Sequence, residues 1–161
     1  MLIQDKLGNI NQVNIEHKQV DYVTIKWYEA NKRILVKQTQ SGTSIAIQFL
    51  DKNPEFTQGD ILFMNEQTII AIDIAACNCL VIVPKNAFEV AAICYEIGNK
   101  HIPLYFENDV LLVPFEQPLF SLLVAQGYQV KQQQAKLLQP IKTTVAPHSI
   151  DTSMLFFTAL P

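Results

Sequence analysis

Residues 80–104 read Leu-Val-Ile-Val-Pro-Lys-Asn-Ala-Phe-Glu-Val-Ala-Ala-Ile-Cys-Tyr-Glu-Ile-Gly-Asn-Lys-His-Ile-Pro-Leu. Four apolar residues, Leu80 to Val83, form a buried-type strand that Pro84 closes. Asn86 is a helix N-cap, and Glu89 three residues on completes a capping-box-like pair. Phe88, Ala91, Ala92 and Tyr95 then share one apolar helical face, and Gly98 reads as the C′ stop. After it, residues 102–107 and 110–115 read as two strands joined by an Asn108-Asp109 hairpin turn. Gln117-Pro118 opens a second helix with Leu119, Leu122, Leu123 and Gln126 on or near one face, and Gly127 stops it. Residues 128–138 supply a last strand with a polar outer side. The order strand, helix, strand, strand, helix, strand is the split βαβ of a ferredoxin-like domain, two helices on one face of a four-stranded sheet.

Upstream the pattern is punctuated β. Runs at 20–27, 33–37, 44–49, 61–64 and 68–72 are separated by turn residues such as Ser41-Gly42, Gly59-Asp60 and Asn65-Glu66. Short strands so spaced indicate a small sandwich or barrel. Residues 27–33 read as an irregular connection. The expected class is therefore α+β with two domains: a β-rich unit over residues 1–74 and a ferredoxin-like βαββαβ unit over 75–139. A C-terminal tail, residues 140–161, carries His148 and an apolar Met154-Leu155-Phe156-Phe157.

The chain has 161 residues, 49% of them hydrophobic, and a net charge of -3. With a pI of about 5.5 it lacks the basic stripe that nucleic-acid binding needs. The most apolar stretch, residues 69–83, is interrupted by Asp73 and Asn78 and is shorter than the ~20 residues of a membrane span. No charged segment followed by an apolar one opens the chain, and three cysteines fit a reducing compartment. A cytoplasmic protein, without nucleic-acid or membrane partners, is expected.

Nucleophile elbows, phosphate loops and His-Glu-x-x-His are absent, so no enzyme is expected. Glu107 and Asp109 flank the hairpin turn and read as solvated charges rather than paired acids. Three features bear on metals. His101 sits where the first helix hands over to the second strand, and imidazole is the commonest metal ligand. One imidazole holds a divalent ion poorly, whereas a two-fold axis beside it supplies a second. His148 in the tail is a further candidate, while spacing alone favours reading His101 as a surface residue with no role. His17 has no ligand-like neighbour at helical spacing. Cys77-Asn78-Cys79 places two sulfurs on one strand face. A zinc site wants a second pair, and only Cys94 remains, so the reading as small buried apolar residues prevails.

The stretch Gly98-Asn99-Lys100-His101-Ile102-Pro103-Leu104 closely resembles the Gly-Asn-Arg-His-Val-Pro signature of the UreE family, urease accessory proteins that act as nickel metallochaperones. The resemblance extends over roughly residues 22–140. Residues 91–97 are similar to the family helix leading into the motif. Gly127 with Val130 resembles its Leu-Gly-x-x-Val, and Gly59-Asp60-Ile61-Leu62 its Gly-Asp-x-Leu turn. The resemblance implies a partner-binding β domain and a metal-binding, dimerising ferredoxin-like domain. In the homodimer it puts His101 of both subunits on one Ni(II), with Gly98, Asn99 and Lys100 as the surrounding motif. It implies the urease accessory GTPase and apo-urease with its accessory proteins as partners. Lys100 stands where the family has Arg, and Phe115 and Gln117 stand where some relatives carry histidines. With only His148 after the motif, one ion per dimer is expected. Zn(II) or Cu(II) would also bind in vitro, since divalent affinity follows a general order that few imidazoles can override. Protonated imidazole cannot ligate, so imidazole-held metal is expected to weaken as pH falls through roughly 6.5. Two other readings stand beside the carrier: a scaffold for the GTPase complex that carries no metal, and a zinc- or copper-handling protein using the cysteines.

Overall fold

The computed structural model describes residues 1–50 and 52–142. Strand β1 (Leu2–Ile3) runs parallel to β5 (Ser44–Gln48), which pairs antiparallel with β4 (Ile34–Gln38). A second sheet has the order β2 (Gly8–Asn9), β6 (Asp60–Met64), β7 (Thr68–Ile74), β3 (Gln19–Ile25). Alternation sends Ile45 and Ile47 of β5 and Val23 and Ile25 of β3 into one shared core with Ile70, Ile72, Phe49 and Phe56. Two sheets facing each other over that core make the expected small sandwich. A bridge between Val23 and Thr39 joins them along one side. Residues 27–29 form a 3-10 turn inside the expected connection. Strands β1 and β2 escaped the sequence reading because two residues carry no period.

The Gly59-Asp60 turn has a steric and an electrostatic cause. Gly59 sits at φ +81°, and an added Cβ would lie 2.7 Å from Ile10 Cγ1. The buried Asp60 carboxylate accepts from Thr57 N–H and Oγ1–H, both at 2.8 Å, and from Asn9 Nδ2 at 3.1 Å and Lys6 Nζ at 3.0 Å. These donors replace the water that burial removes.

The C-terminal half contains β8 (Cys77–Val83), α1 (Ala87–Asn99), β9 (Tyr105–Glu107), β10 (Val110–Pro114), α2 (Gln117–Ala125) and β11 (Gln129–Ala135). Sheet order is β11-β8-β10-β9 with every neighbour antiparallel, the ferredoxin-like arrangement. Asn108 and Asp109, at φ 50° and 62°, make the two-residue hairpin between β9 and β10. Asn86 Oδ1 accepts the Glu89 N–H at 3.0 Å, and the Glu89 carboxylate accepts the Lys85 N–H at 2.9 Å, closing the start of α1. Strands β9 and β11 are shorter than expected. The chain needs Ile102 to Leu104 to leave the helix, and Gln139 to Ile141 turn back along the free edge of β9. There Gln139 O accepts the Phe106 N–H at 3.1 Å, and Leu104 O accepts the Ile141 N–H at 2.8 Å.

Two expectations about α1 are corrected. Its buried face is Ile93 and Ile97, packed on Leu80, Ile82, Leu111 and Val113 of the sheet and Leu119 and Leu123 of α2. Phe88 and Tyr95 point outward, 80% and 73% exposed. Gly98 is not the stop: it lies inside α1 with ordinary helical φ, and the left-handed turn falls three residues later.

The other face of this sheet meets the first half of the chain. Cys79, Val81, Tyr105, Leu112 and Leu137 pack there with Trp27, whose ring lies edge-on to Tyr105 at 6.3 Å. Ion pairs Lys136–Asp73 and Lys142–Glu55 tie the same junction. Burial works against a charged Asp73, but the Lys136 ammonium and a Gln58 amide overcome it and hold the carboxyl below the usual aspartate range.

Candidate metal site

His101 owes its position to the way α1 ends. Lys100 is the C-cap; His101 follows at φ 55°, in the left-handed region that a residue with a Cβ rarely enters. The His101 N–H donates to Gly98 O at 3.0 Å and the Ile102 N–H to Ile97 O at 3.4 Å, the two bonds of a Schellman motif. Helix α2 ends in the same way, with Gly127 at φ 79° and bonds from Gly127 N–H to Val124 O and Tyr128 N–H to Leu123 O. One helix thus uses glycine at the left-handed position, and the other uses histidine. Local stability favours glycine there, so His101 sits at that position at a conformational cost.

The resulting imidazole is exposed and lines a cleft of about 550 Å³ between the end of α1 and the start of α2. Ile102, Pro103, Pro118 and Leu122 form much of its wall. Glu116, the N-cap of α2, also lines it, and sequence reasoning did not single that carboxylate out. A Pro two residues after it, marking a helix start, was the signal available. Lys100 pairs with Glu96 at 3.3 Å one turn back, so its ammonium lies over the last turn of α1. Cations are favoured there.

Among the described residues no three of His, Cys, Asp or Glu come together to hold a metal ion. Among them His101 therefore belongs to no such group. His17 lies in the β-rich unit, in a turn before β3 and also left-handed at φ 69°. Cys94 packs on the inner side of α1, where burial raises its thiol pKa. Glu107 and Asp109 join no cluster of three or more such groups among the described residues. His148 and residues 154–157 lie outside the described residues.

One further property surrounds the site. Phe88, Ala91, Ala92 and Tyr95 form a row on the outer face of α1 that continues to Gly98 and Asn99, one turn before His101. An added Cβ on Gly98 would meet nothing within 4 Å. Neither φ nor packing among the described residues calls for glycine there.

Fold and site together define a two-domain α+β protein whose ferredoxin-like unit presents one outward imidazole beside an apolar helix face. Comparison with known proteins gives the family. The model of the UreE urease accessory protein N-terminal domain matches residues 3–75, and that of the C-terminal domain matches residues 77–144. The urease accessory protein UreE of Flavobacterium johnsoniae is 38% identical over 158 residues, covering 98% of this chain and 96% of that protein. The UreE of Helicobacter pylori (strain G27) is 40% identical over 154 residues, covering 92% and 90%. That of Acetivibrio thermocellus is 34% identical over 142 residues, covering 88% and 92%. The chain belongs to the UreE family, a family of urease accessory proteins and not of enzymes. No helix among the described residues is long and apolar enough to cross a membrane.

Proposed function

We propose that this chain is a cytoplasmic nickel carrier for urease assembly. Two copies join through the outer face of α1 and bring both His101 side chains onto one Ni(II). The supporting observation is the pairing of a strained, outward His101 with an adjacent apolar stripe that no other described residue covers. A lone imidazole is half a site, and Phe88 and Tyr95, 80% and 73% exposed, are the surface on which a second copy would complete it. Gly98 fits the same reading, since a close neighbour from another chain would supply the reason for a glycine that the described residues of one chain do not. The division of labour follows the domains: residues 1–74 for partner docking, residues 75–139 for metal and dimer, and residues 140–161 as the tail that brings His148.

A sparse imidazole site cannot select nickel by strength, because Cu(II) binds such ligands more tightly. Selection then rests on docking to the accessory GTPase and apo-urease. A shallow, exposed site also releases its ion readily to an acceptor with more ligands. The test is nickel stoichiometry on purified wild type and His101→Ala. The carrier reading expects one ion per dimer, lost in the variant with the dimer intact. A scaffold without cargo predicts that His101→Ala still activates urease normally.

A further inference from the structure

Strand β8 carries a pair of thiols on the far side of the sheet from α1, apart from His101. Cys77 and Cys79 are two residues apart, so their side chains leave the same face. Their sulfurs are 3.4 Å apart. Cys79 is fully buried, and its thiol donates to Cys77 O at 3.3 Å and Ala135 O at 3.7 Å. Cys77 is half-buried, so the pair runs from the interior to the surface. Its surroundings are apolar: Val81, Tyr105, Leu112, Leu137 and Trp27. Cys94 belongs to the core on the opposite face.

We infer that Cys77 and Cys79 form a two-sulfur site for a soft monovalent cation of the Cu(I) class. Number and softness of donors carry the argument. Zinc takes four ligands in closed sites, and no third His, Cys, Asp or Glu joins these two among the described residues. Thiolates select soft ions, Cu(I) foremost, over the borderline ions that imidazole takes. Two metal–sulfur bonds of roughly 2.3 Å span at most about 4.6 Å. Linear coordination would widen the present separation of 3.4 Å by about 1 Å, a change the half-buried Cys77 side chain can supply by rotating outward. Binding is ligand exchange without electron transfer: both thiol protons leave to solvent, and Cu(I) stays Cu(I) between two thiolates. Burial, with the neighbouring Cys77, pushes the Cys79 thiol up to about 12, so binding there displaces a proton. A disulfide fits less well, because residues two apart on an extended strand lie ~6.6 Å apart, at the outer limit for that bond.

The test is anaerobic titration of Cu(I) into the full chain against a chromophoric Cu(I) chelator. Wild type should take one Cu(I) per chain, with near-ultraviolet sulfur-to-copper absorption. Cys77→Ala should lower the affinity more than about 100-fold, since even the outer partners of metal ligands are worth 10–100-fold. Cys94→Ser and His101→Ala should leave it unchanged, and Cys77→Ala should leave nickel stoichiometry unchanged. Because Cys77 is half-exposed, its removal leaves the core intact where Cys79→Ser would bury a hydroxyl. Copper uptake indifferent to Cys77→Ala, uptake lost with His101→Ala, or loss of two hydrogens by mass in place of metal uptake would each overturn the inference.

Discussion

Replacing His101 by glycine separates the two demands on that position. A residue with a Cβ pays ~1–2 kcal/mol in the left-handed region, and histidine enters it more readily than most. Glycine removes that strain but starts from a freer unfolded chain, which returns ~0.5–1 kcal/mol. With His101 at φ 55° and both Schellman bonds kept by the backbone, His101→Gly should gain about 0.5–1 kcal/mol over His101→Ala. For a chain of this length that is roughly 1–4 °C in Tm. The assay is urea unfolding of wild type, His101→Ala and His101→Gly at equal concentration with a chelator present, since bound metal adds its own stabilisation. Glycine should unfold at the highest urea concentration while binding no more nickel than alanine. A glycine variant no more stable than the alanine variant would refute the claim that this helix end is strained and that His101 sits there at a conformational cost.

Tyr95→Glu and Phe88→Glu on the outer face of α1 should shift the protein to monomer by sedimentation and lower nickel binding to the level of His101→Ala, with circular dichroism unchanged. Gly59→Ala should destabilise by about 1–3 kcal/mol in chemical denaturation, because it meets Ile10 at 2.7 Å and forces a Cβ to φ +81°. The Asp73 carboxyl is held below its ordinary range, so its contribution is present above about pH 4 and is lost as pH falls through the folded value. Lys136→Gln should therefore lower stability at pH 7 and flatten the loss as pH falls below about 4, read from urea midpoints across pH.

Reading by pattern succeeded where local chemistry decides local shape. Asn86 with Glu89 starts α1, Asn108-Asp109 turns the hairpin, and Gly127 ends α2, each through bonds among neighbouring residues. The motif around His101 was visible as a string, and its place between helix and strand followed from the order of elements. The packing face of α1 was not. Apolar residues lie on both sides of that helix, with Phe88, Ala92 and Tyr95 at one spacing and Ile93 and Ile97 at another. Period alone cannot rank two such faces.

What residues 80–138 determined unaided was the ferredoxin-like order, because capping, turn geometry and 2.0 or 3.6 periodicity act over a few residues. Only tertiary structure decided that Ile93 and Ile97 face the sheet, leaving Phe88 and Tyr95 bare beside His101. It also set Cys77 and Cys79 against Trp27 and closed the Asp73–Lys136 pair across the domain junction. Those contacts join residues far apart in the chain, and burial is settled by the summed packing of distant surfaces rather than by any one segment.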